Sequence, residues 1–159
     1  MKTATVQELK EELKQSHHTK LVELCLRLSR FKKENKELLT YLLFEEQDEL
    51  AYINGVKEEI VTGFEMIDKS NNLYLVKKSL RKILRFTAKY IRYTGSKTVE
   101  IELLIFYCLQ LKESGIPIHK TQALTNLYAM QLKKINKIIP TLHEDLRYDF
   151  TKNLEKLER

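Results

Sequence analysis

Residues 101–111 read Ile-Glu-Leu-Leu-Ile-Phe-Tyr-Cys-Leu-Gln-Leu, and nine of these eleven side chains are apolar. A short apolar run of this kind fits either a buried strand or a buried helix. The flanking residues favour a helix, because Thr98 is suited to an N-cap and Gly115 followed by Pro117 ends the segment. A helix that is apolar around most of its circumference must be surrounded by other elements. The stretch therefore predicts a buried central helix over about 98–114, with an all-α bundle packed around it.

The composition of the 159-residue chain fits a folded all-α protein. Hydrophobic residues make up 43% and charged residues 31%, which is typical of a folded chain and not of a disordered one. Four Gly and two Pro supply few turns for a β-sandwich or barrel. We expect a single domain over 1–159, with an N-terminal helical hairpin region at 1–44 and the main helical core at 45–159.

Apolar residues at helical spacing predict seven or eight mostly antiparallel helices joined by short loops. Near the N-terminus, Thr5 begins a capping box, and Leu9 and Leu13 are predicted to face inward. Thr19 is the predicted cap of the next segment, which we expect to break at the polar run 32–35. A short α-solenoid of helical pairs is the alternative to a closed bundle.

The second half of the chain has clear helix boundaries. Turn residues at 70–72 precede a fifth helix predicted over 73–93, which Gly95 ends. Later helices are predicted over 121–138 and 142–157.

Two glycines, Gly55 and Gly63, lie inside the helix predicted before the 70–72 turn. Each costs about 1 kcal/mol relative to Ala in a helix interior. Their presence indicates that a neighbouring element packs closely against this helix.

Positive charge is concentrated on the predicted fifth helix. The chain has a formal net charge of +6, and residues 71–97 contain eight Lys or Arg and no Asp or Glu. On a helical projection the cations fall opposite the apolar side chains, and aromatic residues border them along one edge. The candidate anion- or partner-binding residues, which we call the basic stripe, are Lys78, Arg81, Lys82, Arg85, Lys89, Arg92 and the bordering Tyr90.

The basic stripe fits two kinds of partner. Its ammonium and guanidinium groups suit an acidic protein segment, and they equally suit RNA or DNA through phosphate contacts and base stacking. A third interpretation is structural, in which the stripe faces water or pairs with the acidic residues at 45–59. The leading hypothesis is a non-enzymatic interaction module that binds an acidic protein partner. A sequence-tolerant nucleic-acid-binding protein is the alternative.

The sequence contains no grouping typical of a catalytic or metal site. The four histidines include no pair at metal-ligand spacing. Cys25 and Cys108 lie within apolar helical patterns and are predicted to be buried, reduced thiols. We therefore expect no enzymatic activity, no cofactor and no bound metal.

Targeting signals are also absent from the sequence pattern. Residues 1–15 are amphipathic and charged, unlike a signal peptide, and no run approaches the roughly 20 apolar residues that span a bilayer. We expect a cytoplasmic protein without a membrane partner. Self-association through an uncovered leucine stripe stays open.

Several Leu, Lys and Glu spacings resemble those of uncharacterised bacterial all-α proteins. They are Glu-Leu-Lys-Glu-Glu-Leu-Lys at 8–14, Lys-Leu-Val-Glu-Leu at 20–24, Asn-Lys-Glu-Leu-Leu at 35–39 and Lys-Lys-Ser-Leu-Arg-Lys at 77–82. The resemblance implies an all-helical bacterial protein and supplies no activity. Residues 6–14 and 20–24 are also superficially similar to the helix pair of SAP-type DNA-binding motifs, although the linker here is short and lacks a glycine-containing turn.

Overall fold

The computed structural model describes residues 2–68 and 72–158. Helices account for most of this part of the chain, and no β-strand occurs within it, so the predicted all-α fold is confirmed. Short 3-10 turns flank the seventh helix, and a π-helical turn follows the third. The eight α-helices are α1 (Val6–Gln15), α2 (His18–Phe31), α3 (Lys33–Thr40), α4 (Glu49–Glu65), α5 (Leu73–Thr94), α6 (Lys97–Glu113), α7 (Gln122–Ile138) and α8 (Glu144–Glu158).

The chain divides into two compact units, Met1–Glu46 and Gln47–Arg159. The first, which we call the N-terminal unit, contains α1, α2, α3 and the π-helical turn Tyr41–Glu45. The second, which we call the core unit, contains α4 to α8.

The N-terminal unit has almost no buried side chains. The predicted capping box is present, with the Thr5 N–H donating to Glu8 Oε2 at 2.7 Å and the Glu8 N–H donating to Thr5 Oγ1 at 3.3 Å. Among the described residues of this unit, Tyr41 is the one buried side chain. The prediction that Leu9 and Leu13 face inward is wrong, since their side chains are 50% and 44% exposed.

The start of α2 and the break after it are set by local hydrogen bonds. His17 is the N-cap in place of the predicted Thr19, because His17 Nδ1 accepts a hydrogen bond from the Thr19 N–H at 3.3 Å. The predicted break is confirmed, since Lys32 has an extended backbone between α2 and α3. Across the break, Asn35 Nδ2 donates to the Leu28 carbonyl at 2.9 Å. This turn lets α3 pack against α2.

Helix α6 carries more buried side chains than any other helix described in the core unit, and it packs against α4, α5, α7 and α8. It begins earlier than expected, because Ser96 and not Thr98 is the N-cap. The Ser96 Oγ accepts a hydrogen bond from the Val99 N–H at 3.3 Å. The buried residues of α6 are Val99, Ile101, Leu103, Leu104, Ile105, Tyr107, Cys108 and Leu111.

Helices α4 and α5 approach closely at Gly63. A Cβ atom built on Gly63 would lie 2.9 Å from Ile83 Cγ1, closer than two packed carbon atoms come. A Cβ on Gly55 would meet no atom within 4 Å. The close-packing prediction therefore holds at Gly63 and is wrong at Gly55.

Helix α5 has the predicted boundaries to within one residue. Asn72 is its N-cap and accepts a hydrogen bond from the Tyr74 N–H at 3.0 Å. Gly95 ends the helix with a φ of 62°, a left-handed conformation that glycine adopts without steric cost. The other two residues of the predicted turn, 70 and 71, lie outside the described residues.

The two cysteines lie in different environments. Cys108 is fully buried in α6, as predicted, and burial raises the pKa of its thiol to about 12. Cys25 is exposed on α2, so the prediction of burial is wrong there. The reason is that an apolar period identifies a helix face but not the element that covers it. Both cysteines are free thiols.

Candidate functional site

A groove of about 1030 Å³ runs along the core unit, with α5 and α7 as its walls and α6 at its base. Helix α5 lines it from Tyr74 to Arg92, which is about 27 Å at 1.5 Å per residue. Helix α7 lines the opposite side from Met130 to Lys137. Eight cations line this basic groove: Lys77, Lys78, Arg81, Arg85 and Arg92 of α5, and Lys133, Lys134 and Lys137 of α7.

Apolar side chains also line the basic groove, together with Glu100 of α6 and Gln131 of α7. The apolar ones, which we call the apolar floor, are Leu84, Ala88 and Ile91 of α5, Leu104 of α6 and Met130 of α7. Met130 is 65% exposed, and Ala88 is exposed as well. A bound molecule therefore meets both apolar surface and positive charge in the groove, a combination that suits an amphipathic ligand.

Within the described residues, most cations of the basic groove have no carboxylate partner. Lys134 Nζ lies 4.0 Å from Glu100 Oε1, and Lys97 Nζ lies 2.9 Å from the other oxygen of the same carboxylate. Glu100 is thus shared between two ammonium groups. Within residues 2–68 and 72–158, the other seven groove cations form no ion pair. The groove consequently retains a strongly positive potential.

The acidic residues around α4 do not neutralise the groove. Asp48 caps α4 by accepting a hydrogen bond from the Ala51 N–H at 3.0 Å. In the part of the chain that the structure describes, no ion pair joins Asp48, Glu49, Glu58 or Glu59 to a groove cation. These carboxylates therefore leave the groove cations available to a bound molecule.

The residues of the basic stripe separate into two sets. Lys82 is exposed beside the groove, and Lys89 Nζ lies 4.8 Å from the centroid of the Tyr90 ring. The structure brings Lys78, Arg81, Arg85 and Arg92 together in the groove and leaves Lys82, Lys89 and Tyr90 outside it.

The second wall of the groove was not predicted from the sequence. Lys133, Lys134 and Lys137 are about 50 residues from the basic stripe and reach it only because α6 packs between α5 and α7. Their i, i+1, i+4 spacing on a predicted helix was a signal of a second cationic face. It did not indicate that the two faces would meet.

Tyr90 of the basic stripe belongs to an aromatic cluster whose members do not line the basic groove. The Tyr90 ring makes T-shaped contacts with Tyr52, Phe86 and Tyr93, at centroid distances of 6.4, 5.9 and 6.0 Å. The Tyr52 hydroxyl also donates a hydrogen bond to the Tyr90 carbonyl at 3.1 Å. These contacts hold Tyr90 toward α4, and the ring is not placed to stack on a base bound in the groove.

Other kinds of site are not evident in the described residues. They include no group of three or more His, Cys, Asp or Glu side chains arranged to hold a metal ion. None of the described helices is both long enough and apolar enough to cross a membrane. Comparison with protein-family models, with curated proteins and with solved structures found no match to this chain.

Proposed function

We propose that this chain is a non-enzymatic interaction module whose basic groove binds an acidic amphipathic helix of a partner protein. The observation that carries the proposal is the set of seven groove cations without an ion-pair partner, in the described chain, around an apolar floor. A helix with one apolar stripe and carboxylates on either side of it complements both features.

The dimensions of the basic groove suit such a helix. An α-helix of about 18 residues matches the roughly 27 Å over which α5 lines the groove. Its apolar stripe would contact Leu84 and Met130 on the floor. Its flanking carboxylates would reach Arg81 and Arg85 on one wall and Lys137 on the other.

A sequence-tolerant RNA- or DNA-binding protein is the competing candidate. Tyr74 favours it, since this side chain is 69% exposed at one end of the groove and offers a stacking surface. Two observations favour the acidic helix instead. A phosphate backbone gains little from the apolar floor, and the Tyr90 ring, which base stacking would use, packs against Tyr52.

Fluorescence anisotropy with the full chain distinguishes these candidates. The probes are a labelled acidic amphipathic peptide of about 18 residues, a scrambled peptide of identical composition, single-stranded RNA and duplex DNA. Each is titrated between about 50 and 200 mM salt, the range in which phosphate contacts are lost.

We expect the amphipathic peptide to bind more tightly than the scrambled one and to keep that preference at the higher salt, because salt does not screen contacts with the apolar floor. Equal affinity for the two peptides would contradict recognition of an apolar stripe. Tight, steeply salt-dependent RNA or DNA binding without a peptide preference would establish the alternative. Failure of every probe to bind at low salt would overturn both.

A further inference from the structure

The N-terminal unit exposes a large amount of apolar surface. Ten of its Val, Leu and Phe side chains are at least 44% exposed, among them Leu28 at 60% and Phe31 and Phe44 at 77%. Together they present on the order of 500 to 1000 Å² of apolar area. These side chains lie on α1, α2 and the π-helical turn Tyr41–Glu45. Exposed apolar area of this size marks an interaction surface when it is contiguous.

Apolar residues occupy more than one side of helix α2. At about 100° per residue, its apolar residues span roughly 220° of the circumference, from Phe31 through Leu28 and Cys25 to Leu26. Within that arc only His18 and Ser29 are polar. Helix α3 packs against α2 but covers one side of it. A helix apolar over so wide an arc is stable in water only when a further apolar surface contacts it.

The charge of the N-terminal unit favours a second copy of the chain as that surface. Residues 1–46 contain nine Lys or Arg and eight Glu, whereas the rest of the chain contains 19 Lys or Arg and 14 Asp or Glu. A nearly neutral face with both signs of charge meets its own copy across a two-fold axis without net repulsion. An acidic protein or a nucleic acid would instead be drawn to the positively charged core unit.

We propose that the N-terminal units of two copies pair through the exposed apolar side chains of α1, α2 and the π-helical turn Tyr41–Glu45, making the protein a homodimer. The exposed apolar area is comparable with the roughly 800 Å² that each partner contributes to a standard protein interface. The proposal does not depend on the basic groove, which lies in the core unit.

Sedimentation velocity of the full chain from about 1 to 100 μM tests the dimer directly. We expect a species of twice the 18.9 kDa chain mass at the upper concentrations. The double variant Leu28→Glu/Phe31→Glu should sediment as a monomer over the whole range, with circular dichroism checking that helicity is kept. Met66→Glu is the matched control, because Met66 is 79% exposed in the core unit, and it should stay dimeric.

Alkylation of Cys25 supplies a second readout that needs no variant. Cys25 is exposed and lies within the apolar arc of α2, so its reaction with a maleimide should slow as protein concentration rises and the dimer forms. A chain that is monomeric at every concentration, with a constant alkylation rate, would overturn the proposal. So would a dimer that survives the double variant, or a monomer that co-sediments with phosphatidylcholine vesicles, which would identify the face as a lipid-binding surface.

Discussion

Arg81 and Lys82 are consecutive residues of α5, yet Arg81 lines the basic groove and Lys82 lies outside it. Charge reversal at either residue changes the net charge of the chain by the same amount. We expect Arg81→Glu to weaken binding of the acidic amphipathic peptide by about 3- to 10-fold, and Lys82→Glu to change it by less than about 2-fold. Anisotropy at low salt measures both, and circular dichroism shows whether helicity is kept. Equal losses would mean that net charge, and not the groove, determines binding.

The hydrogen bond from Tyr52 to the Tyr90 carbonyl predicts that stability and binding can be changed separately. Tyr52→Phe removes this 3.1 Å bond and should lower the free energy of unfolding by about 1 kcal/mol. Neither residue lines the groove, so affinity for the peptide should not change. Urea denaturation and anisotropy measure the two quantities. Unchanged stability in Tyr52→Phe, or a loss of affinity for the peptide, would contradict this prediction.

The contact between Gly63 and Ile83 predicts opposite effects for two glycine substitutions in α4. Gly63→Ala places a Cβ 2.9 Å from Ile83 Cγ1, and displacing this buried side chain should cost about 1 to 3 kcal/mol of stability. Gly55→Ala meets no atom within 4 Å and should raise stability by about 0.5 to 1 kcal/mol. Thermal or urea unfolding tests the pair. Stabilisation by both substitutions would show that α4 and α5 are less tightly packed at Gly63.

Helix α5 and the basic groove show how far sequence reasoning extends. The boundaries of α5 were predictable to one residue, because its cap, its end at Gly95 and its apolar period are all local features. Lys78 and Arg85 were predicted as site residues on the same grounds. Lys137 was not, because its presence in the same groove depends on how α6 separates the two walls. Tertiary packing of this kind leaves no periodic signal in the chain.

In the N-terminal unit, the sequence predicted the helices but not the exposure of their apolar faces. The periods that contain Leu13 and Cys25 correctly indicate amphipathic helices, but a period cannot show whether its apolar face is covered. Both residues were predicted to be buried, and both are exposed. The helix break at Lys32 was predictable, since it follows from a polar run in the sequence.

Burial of Cys108 predicts that the protein loses stability at high pH. Burial raises the pKa of the Cys108 thiol from about 9 to about 12. Burial also raises the pKa of the neighbouring Tyr107 hydroxyl, and the negative charge of a Cys108 thiolate raises it further. Above about pH 9 the unfolded chain releases the thiol proton while the folded chain retains it. The contribution of the protonated Cys108 thiol to the free energy of unfolding is therefore complete below pH 9. It is lost as the pH rises toward 12, at about 1.4 kcal/mol per pH unit.

Urea unfolding at about pH 7, 9 and 10.5 measures this dependence, and Cys108→Ala isolates the contribution of the thiol. The substitution lowers stability at neutral pH because it leaves a small cavity in α6, but the difference from the unchanged chain should shrink as the pH rises. The reason is that ionisation of the thiol at high pH stabilises the unfolded state of the unchanged chain but not that of Cys108→Ala. Cys25→Ser, at an exposed position, controls for the loss of a thiol as such. A stability difference between Cys108→Ala and the unchanged chain that stays constant from pH 7 to pH 10.5 would show that the Cys108 thiol ionises as readily in the folded state as in the unfolded one.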